Sequence, residues 1–235
     1  MWYTLLFKDK YIKMKNTYVV NHANFIDKIV RNKRQEMCDI INEKLKDVNI
    51  YDALDIGSTS DEIYESSNYL IKNLKNISKY KSISDQSFKN NFFSNILTKS
   101  ITQNLTRSEV DLFSSDLVVS NATIEHVGNF QNQVNMIKNI VKLSKKFFII
   151  TTPNKLHPFD FHTKLPLIHW LPVSLYRKLL NLIGLKFFAK EENLNLLSEN
   201  NLKLCLKNAG VIEYEIVHIN LFGFKSNLLV FGKKY

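Results

Sequence analysis

The stretch Asp52-Ala-Leu-Asp-Ile-Gly-Ser-Thr-Ser-Asp-Glu62, DALDIGSTSDE, opens as a short apolar strand and turns at Gly57 into residues that favour helix starts. A glycine between a strand and a helix lets the backbone approach a ligand closely, or it makes a plain turn with Ser58 or Ser60 as the helix cap. Alone it decides nothing, because the dinucleotide fingerprint needs three glycines and this stretch has one. The flanks supply the rest. Upstream, Ile26, Ile29, Val30, Met37, Ile40, Ile41 and Leu45 fall at helical spacing over residues 24 to 46, with a polar gap near Lys33 and Arg34. Downstream, Ser60 to Asn76 reads as a helix, Tyr80 to Asp85 as a strand and Ser115 to Asn121 as another strand. Val134, Ile137, Ile140 and Val141 make one helical face before Lys146 to Thr152 (KFFIITT), a run of the kind buried on both faces of a parallel sheet. The alternation predicts a doubly wound α/β fold.

After Pro153 the pattern changes. The chain's four prolines, Pro153, Pro158, Pro166 and Pro172, fall within 20 residues and interrupt regular structure, which predicts a helical and irregular lid at about residues 154 to 195. Short helices are expected at Leu175 to Leu185 and Leu202 to Ala209, ending near Gly184 and Gly210. Two strand-like runs, Val211 to Leu221 and Asn227 to Phe231, flank a turn at Gly223 and predict an antiparallel hairpin. The expected organisation is an N-terminal helical segment, residues 1 to 48, packed on a domain of residues 49 to 235.

With 235 residues the chain can bury one ordinary core. The apolar run Phe147 to Ile150 is far below the roughly 20 residues that span a bilayer, and MWYTLLFKDK lacks a signal-peptide layout, so a cytoplasmic protein is expected, with peripheral membrane contact left open. Cys38 and Cys205 lie far apart without CxxC spacing, which predicts reduced, structural thiols. The net charge of +10 suits a polyanion, but 28 of the 32 basic residues are lysines spread along the chain, and arginine is the usual choice for bidentate phosphate or base contacts. The charge is read as solvated lysines.

Ligands of open parallel sheets bind beyond the carboxyl ends of the strands, so the residues that close each strand carry the information. DIGSTSD, SDLVVSNATIEHVGN and FFIITTPNKLHPFDFHTKLPLIHWLP together resemble the class I S-adenosylmethionine-dependent methyltransferases, in particular a bacterial methyltransferase type 11-like branch, over residues 50 to 235. The resemblance implies a Rossmann-like sheet of about seven strands, the last antiparallel, and S-adenosylmethionine as cofactor. It places Gly57, Ser58 and Thr59 against the cofactor's methionine part, with amides at the start of the next helix facing its carboxylate. Asp55 would hold the ammonium, Asp85 the ribose hydroxyls, Asn104 in KSITQNLT the adenine amino group, and Ser120 and Asn121 would close the fourth strand beside the cofactor. Two departures stand out: Thr59 replaces the family's second glycine, and Asn104, with Gln103 beside it, replaces an aspartate.

His126 and His162 are the candidate groups for removing the acceptor's proton. His157, His162 and His169, with Asp160, sit in the lid; they also read as structural hydrogen-bonders, and their spacing matches no zinc pattern, so no metal is expected. Trp170 and Phe161 read as lid packing. Asn121-Ala122-Thr123 lacks the N-P-P-Y tetrad of amino-methylating nucleic-acid enzymes, which makes nucleic acid an unlikely substrate. The acceptor is expected to be a small molecule, a sugar or a lipid-linked glycan. A methyltransferase-like binding module without catalysis is the alternative. A short-chain dehydrogenase is disfavoured because Tyr11 and Lys15 precede the first sheet strand.

Overall fold

Every residue of β1 (Asp52–Ile56) is buried. The alternation of its side chains sends Ala53 to one core and Leu54 and Ile56 to another. The structure is a computed structural model and describes residues 24 to 60 and 66 to 234. β1 pairs in parallel with β2 (Lys79–Ser84) on one side and, on the other, with β4 (Ser115–Asn121). β3 (Asn95–Thr98) adds beyond β2, and β5 (Ser144–Pro153) adds in parallel beyond β4. A terminal hairpin of β8 (Tyr214–Leu221) and β9 (Phe224–Lys233) completes the sheet, with β9 antiparallel to β5. The order is β3-β2-β1-β4-β5-β9-β8, seven strands with the last antiparallel, as the sequence predicts.

Helices cover both faces. α1 (Asn24–Leu45) and α2 (Tyr69–Asn73) bring Met37, Cys38, Ile41, Leu70 and Ile71 against Ala53, Leu117, Val119 and Ile149. On the other face α3 (Arg107–Phe113), α4 (Phe130–Leu143) and α6 (Glu199–Asn208) pack Phe113, Val134, Ile137, Leu202 and Cys205 onto Leu54, Val118 and Phe148. Cys38 and Cys205 are free, buried thiols. Between β5 and α6 the chain builds a two-stranded ribbon of β6 (Phe159–Asp160) and β7 (Leu165–Pro166), a 3-10 turn (Ile168–Trp170) and α5 (Val173–Leu182). This insertion has its own small core of Tyr176, Leu180, Phe188, Ala189 and Leu194. Among the described residues, no helix is long and apolar enough to cross a membrane.

Two elements differ from their sequence reading. The helix expected from Ser60 to Asn76 is regular only over Tyr69–Asn73, and residues 61 to 65 of that span lie outside the described residues. The third strand is Asn95–Thr98, so KSITQNLT is the turn that follows it. That tract is rich in Ser, Thr and Asn, whose side chains bond locally to the backbone, and such groups favour turns. α3 went unread although Thr106 and Glu109 form a capping box at its start.

Gly232 lies opposite Phe148 in the β5–β9 ladder, and a Cβ built there would meet Phe148 Cζ at 2.0 Å. Gly232→Ala is therefore expected to destabilise the protein by about 1–3 kcal/mol through overpacking, read as a lowered urea midpoint.

Candidate functional site

A cavity of about 410 Å3 opens beyond the carboxyl ends of β1, β2 and β4, walled by α1 and by Phe161 and His162 of the insertion. Its floor starts at Asp55. The carboxylate is buried and accepts a hydrogen bond from the Ser58 hydroxyl. Burial pushes its pKa up to about 6, against the opposing pull of Ser58 and the Lys72 charge. The Ser58 side chain in turn accepts from Ser82 Oγ at 2.8 Å, and its carbonyl accepts from Ser84 Oγ at 2.7 Å, so the ends of β1 and β2 are laced together.

Gly57 has φ of +87° and donates its N–H to the Ile83 carbonyl at 2.9 Å. Its missing side chain also makes room for a neighbour. A Cβ there would lie 2.3 Å from Thr123 Oγ1 and 2.5 Å from Thr123 Cγ2, so the close approach that glycine permits is first that of Thr123. Thr123 Oγ1 donates to the Ile56 carbonyl at 3.2 Å, bridging β1 to the turn after β4. Thr59, where the family has a second glycine, is shaped by Asn68: its N–H donates to Asn68 Oδ1 at 3.0 Å and its carbonyl accepts from Asn68 Nδ2 at 2.9 Å. The helix start expected directly after this loop falls on residues 61 to 65, outside the described residues; the next described helix, α2, begins at Tyr69.

Of the remaining candidates, Asp85 and Asn121 line the cavity. Asn121 Oδ1 accepts from Thr151 Oγ1 at 2.7 Å. Ser120 is fully buried and does not line it. Asn104 is exposed and off the cavity; Lys99, Ser100, Ile101 and Thr102, which directly follow the end of β3 at Thr98, line it instead.

At the other end of the cavity, His126 and His162 face each other with ring centroids 4.9 Å apart. Glu125, fully buried, lies behind them: its Oε1 is 3.7 Å from His162 Nε2 and 4.0 Å from His126 Nε2, while its Oε2 accepts from Thr152 Oγ1 at 2.9 Å. His126 Nδ1 donates to the Asn193 carbonyl at 2.7 Å. His162 Nδ1 lies 3.1 Å from Asp160 Oδ1, and Asp160 also accepts from the Thr163 hydroxyl at 2.7 Å. Burial, reinforced by the His162 charge, pulls the His126 pKa down to about 3, which keeps that ring neutral. Burial opposes charge on Asp160, but its bonds to His162 and Thr163 hold the carboxyl near 2. Burial likewise opposes the His162 cation, yet Asp160 and Glu125 raise its pKa. Burial raises that of Glu125.

The sequence matches no protein-family model and no curated protein. Solved structures do match. Magnesium protoporphyrin IX methyltransferase from Synechocystis PCC 6803, solved with bound SAH, superposes with a TM-score of 0.55 at 12% identity, covering 100% of this chain and 97% of that one. The N-methyltransferase NodS from Bradyrhizobium japonicum WM9 gives 0.50 at 11%, covering 87% and 96%. The CurJ carbon methyltransferase gives 0.54 at 12%, covering 85% and 53%.

The fold is that of the class I methyltransferases.

In that fold the cavity occupies the crevice where the strand order reverses between β1 and β4. Sequence reasoning missed one wall of it. Ile29, Val30, Lys33, Arg34 and Met37 of α1 line the cavity, and Arg34 Nη1 donates to the Ser66 carbonyl. The polar gap at Lys33 and Arg34 in an otherwise apolar helix was the signal. His157 and His169 serve the insertion itself: His157 Nδ1 bonds the Phe159 backbone and His169 Nε2 the His157 carbonyl at 2.8 Å. Trp170 is exposed and donates from Nε1 to the Lys155 carbonyl at 3.1 Å.

The strain at Gly57 separates into two parts. Gly57→Ala is expected to destabilise by about 1–3 kcal/mol, from the positive φ together with the clash. In a double-mutant cycle with Thr123→Ala, only the steric part should be recovered, giving a favourable coupling on urea unfolding.

Proposed function

We propose that the protein transfers the methyl group of S-adenosylmethionine to a small-molecule, sugar or lipid-linked glycan acceptor. One observation carries this reading: a buried carboxylate, Asp55, with a hydroxyl for its hydrogen-bond donor, shares a cavity with Asp85 at the carboxyl ends of adjacent strands of a methyltransferase fold. The residues present fit the cofactor. A carboxylate taken out of water is costly unless a positive group meets it, and a ligand's ammonium supplies that partner at Asp55. Asp85, at the next strand end, has the two acceptor oxygens that a ribose diol needs. Gly57, Ser58 and Thr59 bring backbone to the same wall, as Asn121 brings an amide. The bound cofactor supplies a sulfonium methyl that leaves by in-line displacement.

The chain's own work is to position the acceptor, exclude water and accept a proton where the acceptor carries one. The insertion serves the first two tasks, bringing Phe161 and His162 over the cavity. For the third, His126 and His162 are the candidates in reach. Burial holds the His126 pKa down at about 3, which makes that ring the weaker base of the two, whereas His162 is oriented by Asp160, which with Glu125 raises its pKa. The solved relatives act on different atoms, nitrogen and carbon among them by name, so the fold does not choose the acceptor. Among the readings without catalysis, the arguments from Thr59 and Asn104 weaken, since Asn68 shapes the loop at Thr59 and Asn104 lies off the cavity. Of the expected N-terminal segment, residues 1 to 23 lie outside the described residues; we assign residues 24 to 48 to the same functional unit as the domain of residues 49 to 235, because α1 supplies a wall of the cavity.

Calorimetric titration should show saturable micromolar binding of S-adenosylmethionine and S-adenosylhomocysteine, weakened by Asp85→Ala more than about tenfold, or about 1.4 kcal/mol. No binding by the folded wild type would refute the reading. Asp55 titrates at about 6 without ligand, and a neighbouring ammonium lowers a carboxyl pKa. Binding below that pH then releases a proton, so affinity should be level above pH 6 and fall as the pH drops below it. Asp55→Asn should flatten the profile.

A further inference from the structure

Glu125 presents a buried oxygen that accepts no hydrogen bond from any described residue, although its whole side chain is out of water. Such an atom is costly to maintain unless something meets it. Two imidazole nitrogens lie close to it, Nε2 of His162 and of His126, at 3.7 and 4.0 Å. One donor atom from each of Glu125, His126 and His162 lies within 4.8 Å of the other two.

We propose that Glu125 Oε1, His126 Nε2 and His162 Nε2 bind one first-row divalent cation, of the zinc or cobalt type, at the cavity wall.

The donor atoms on the far side of each ligand are already engaged. His126 Nδ1 meets a carbonyl, which can only accept, so Nδ1 carries the hydrogen and Nε2 the lone pair. His162 Nδ1 is held by the Asp160 carboxylate, the carboxylate–histidine arrangement that orients imidazoles on metal ions. Glu125 Oε2 is held by Thr152. Two nitrogens and one oxygen are a donor set that imidazole-preferring metals take. Ligands at ~2.0–2.2 Å from one tetrahedral ion stand ~3.3–3.6 Å apart, so from 3.7 and 4.0 Å the three donors must draw inward to hold an ion. The sequence hid the site because the familiar spacings lie within one segment, whereas here a 3-10 turn after β4 supplies two ligands and the insertion the third.

Three protein ligands leave a coordination position open, the pattern of sites that bind water or substrate rather than of closed structural sites. Since His126 and His162 line the cavity, the occupant this selects is an acceptor bearing oxygen: coordination would acidify its hydroxyl, the proton leaving to solvent, and with the ion bound the two histidines serve as ligands in place of accepting that proton themselves. The inference deepens the methyl-transfer reading and rests on it only for this last step. Arg34 faces the same group and acts electrostatically on Glu125, as does Asp160, so the ion would enter a site of mixed charge.

The test uses the full chain stripped with a chelator. Calorimetry with Zn2+, and visible absorption with Co2+, should show one ion per chain and a raised unfolding temperature. Glu125→Gln and His126→Gln, each checked for folding by S-adenosylhomocysteine binding and by a cooperative thermal transition, should weaken uptake by about 100-fold or more. A stripped wild type that binds S-adenosylhomocysteine and takes up neither ion overturns the proposal, as does uptake undiminished in both variants. Uptake lost in the variants of a protein that never binds S-adenosylhomocysteine would support the ion site and refute the methyl-transfer reading.

Discussion

β1 and β4 are neighbours in the sheet, yet the chain leaves them in opposite directions, toward β2 from the first and toward β5 from the second. Their following loops must diverge, and the gap between them cannot be filled by either. The contact that controls this gap is Thr123 on Gly57: a side chain from the β4 loop lies where the β1 loop has no Cβ, and its hydroxyl caps the last carbonyl of β1. Because that contact draws the two strand ends together, Asp55, Asn121 and His126 all line one cavity. A larger residue at 57 would push the loops apart at the point from which every later contact is measured.

The sheet was legible because its signal is repetitive. Strands buried on both faces must be apolar nearly throughout, and Ser115 to Asn121 matches its predicted limits fully. Where the sequence misled, local polar chemistry was strong. After Thr98 the Ser100 hydroxyl accepts from the Thr102 N–H and Asn139 donates to the Ile101 and Gln103 carbonyls, so KSITQNLT turns, and Asn104 lies off the cavity that it was expected to serve. Asn68 is a harder case. Its side chain completes the loop at Thr59 from nine residues away, in a left-handed conformation, and no periodicity announces such a contact. The Lys33–Arg34 gap was visible as polarity in an apolar helix, but only the arrangement of α1 beside the strand ends gives it meaning.

The cavity's two ends solve the problem of buried charge differently. At Asp55 the protein supplies one hydroxyl and one nearby lysine charge, which leaves the carboxyl titrating near 6 and open to a cationic ligand. At Asp160 the partner is built in: the His162 ring, two backbone amides and the Thr163 hydroxyl together overcome burial and keep the carboxylate charged. The first arrangement tolerates an unmet charge, and a ligand gains by meeting it; the second spends its interactions on holding His162 in place.

That difference explains how the insertion can act on the sheet without being continuous with it. Its own core is small, and what ties it to the β4 turn is polar: Asn193 accepts from His126, Asn195 donates its amide to the Glu125 carbonyl at 2.7 Å, and Gln133 donates to the carbonyls of Ile124 and Asn195. Hydrogen bonds are directional where apolar contacts are not, so the bond to Asn193 fixes the rotation of the His126 ring, as the bond to Asp160 fixes that of His162. A cavity wall assembled from two segments needs that directionality, because a ring turned by half a circle would fill the same space and present a different nitrogen to the acceptor.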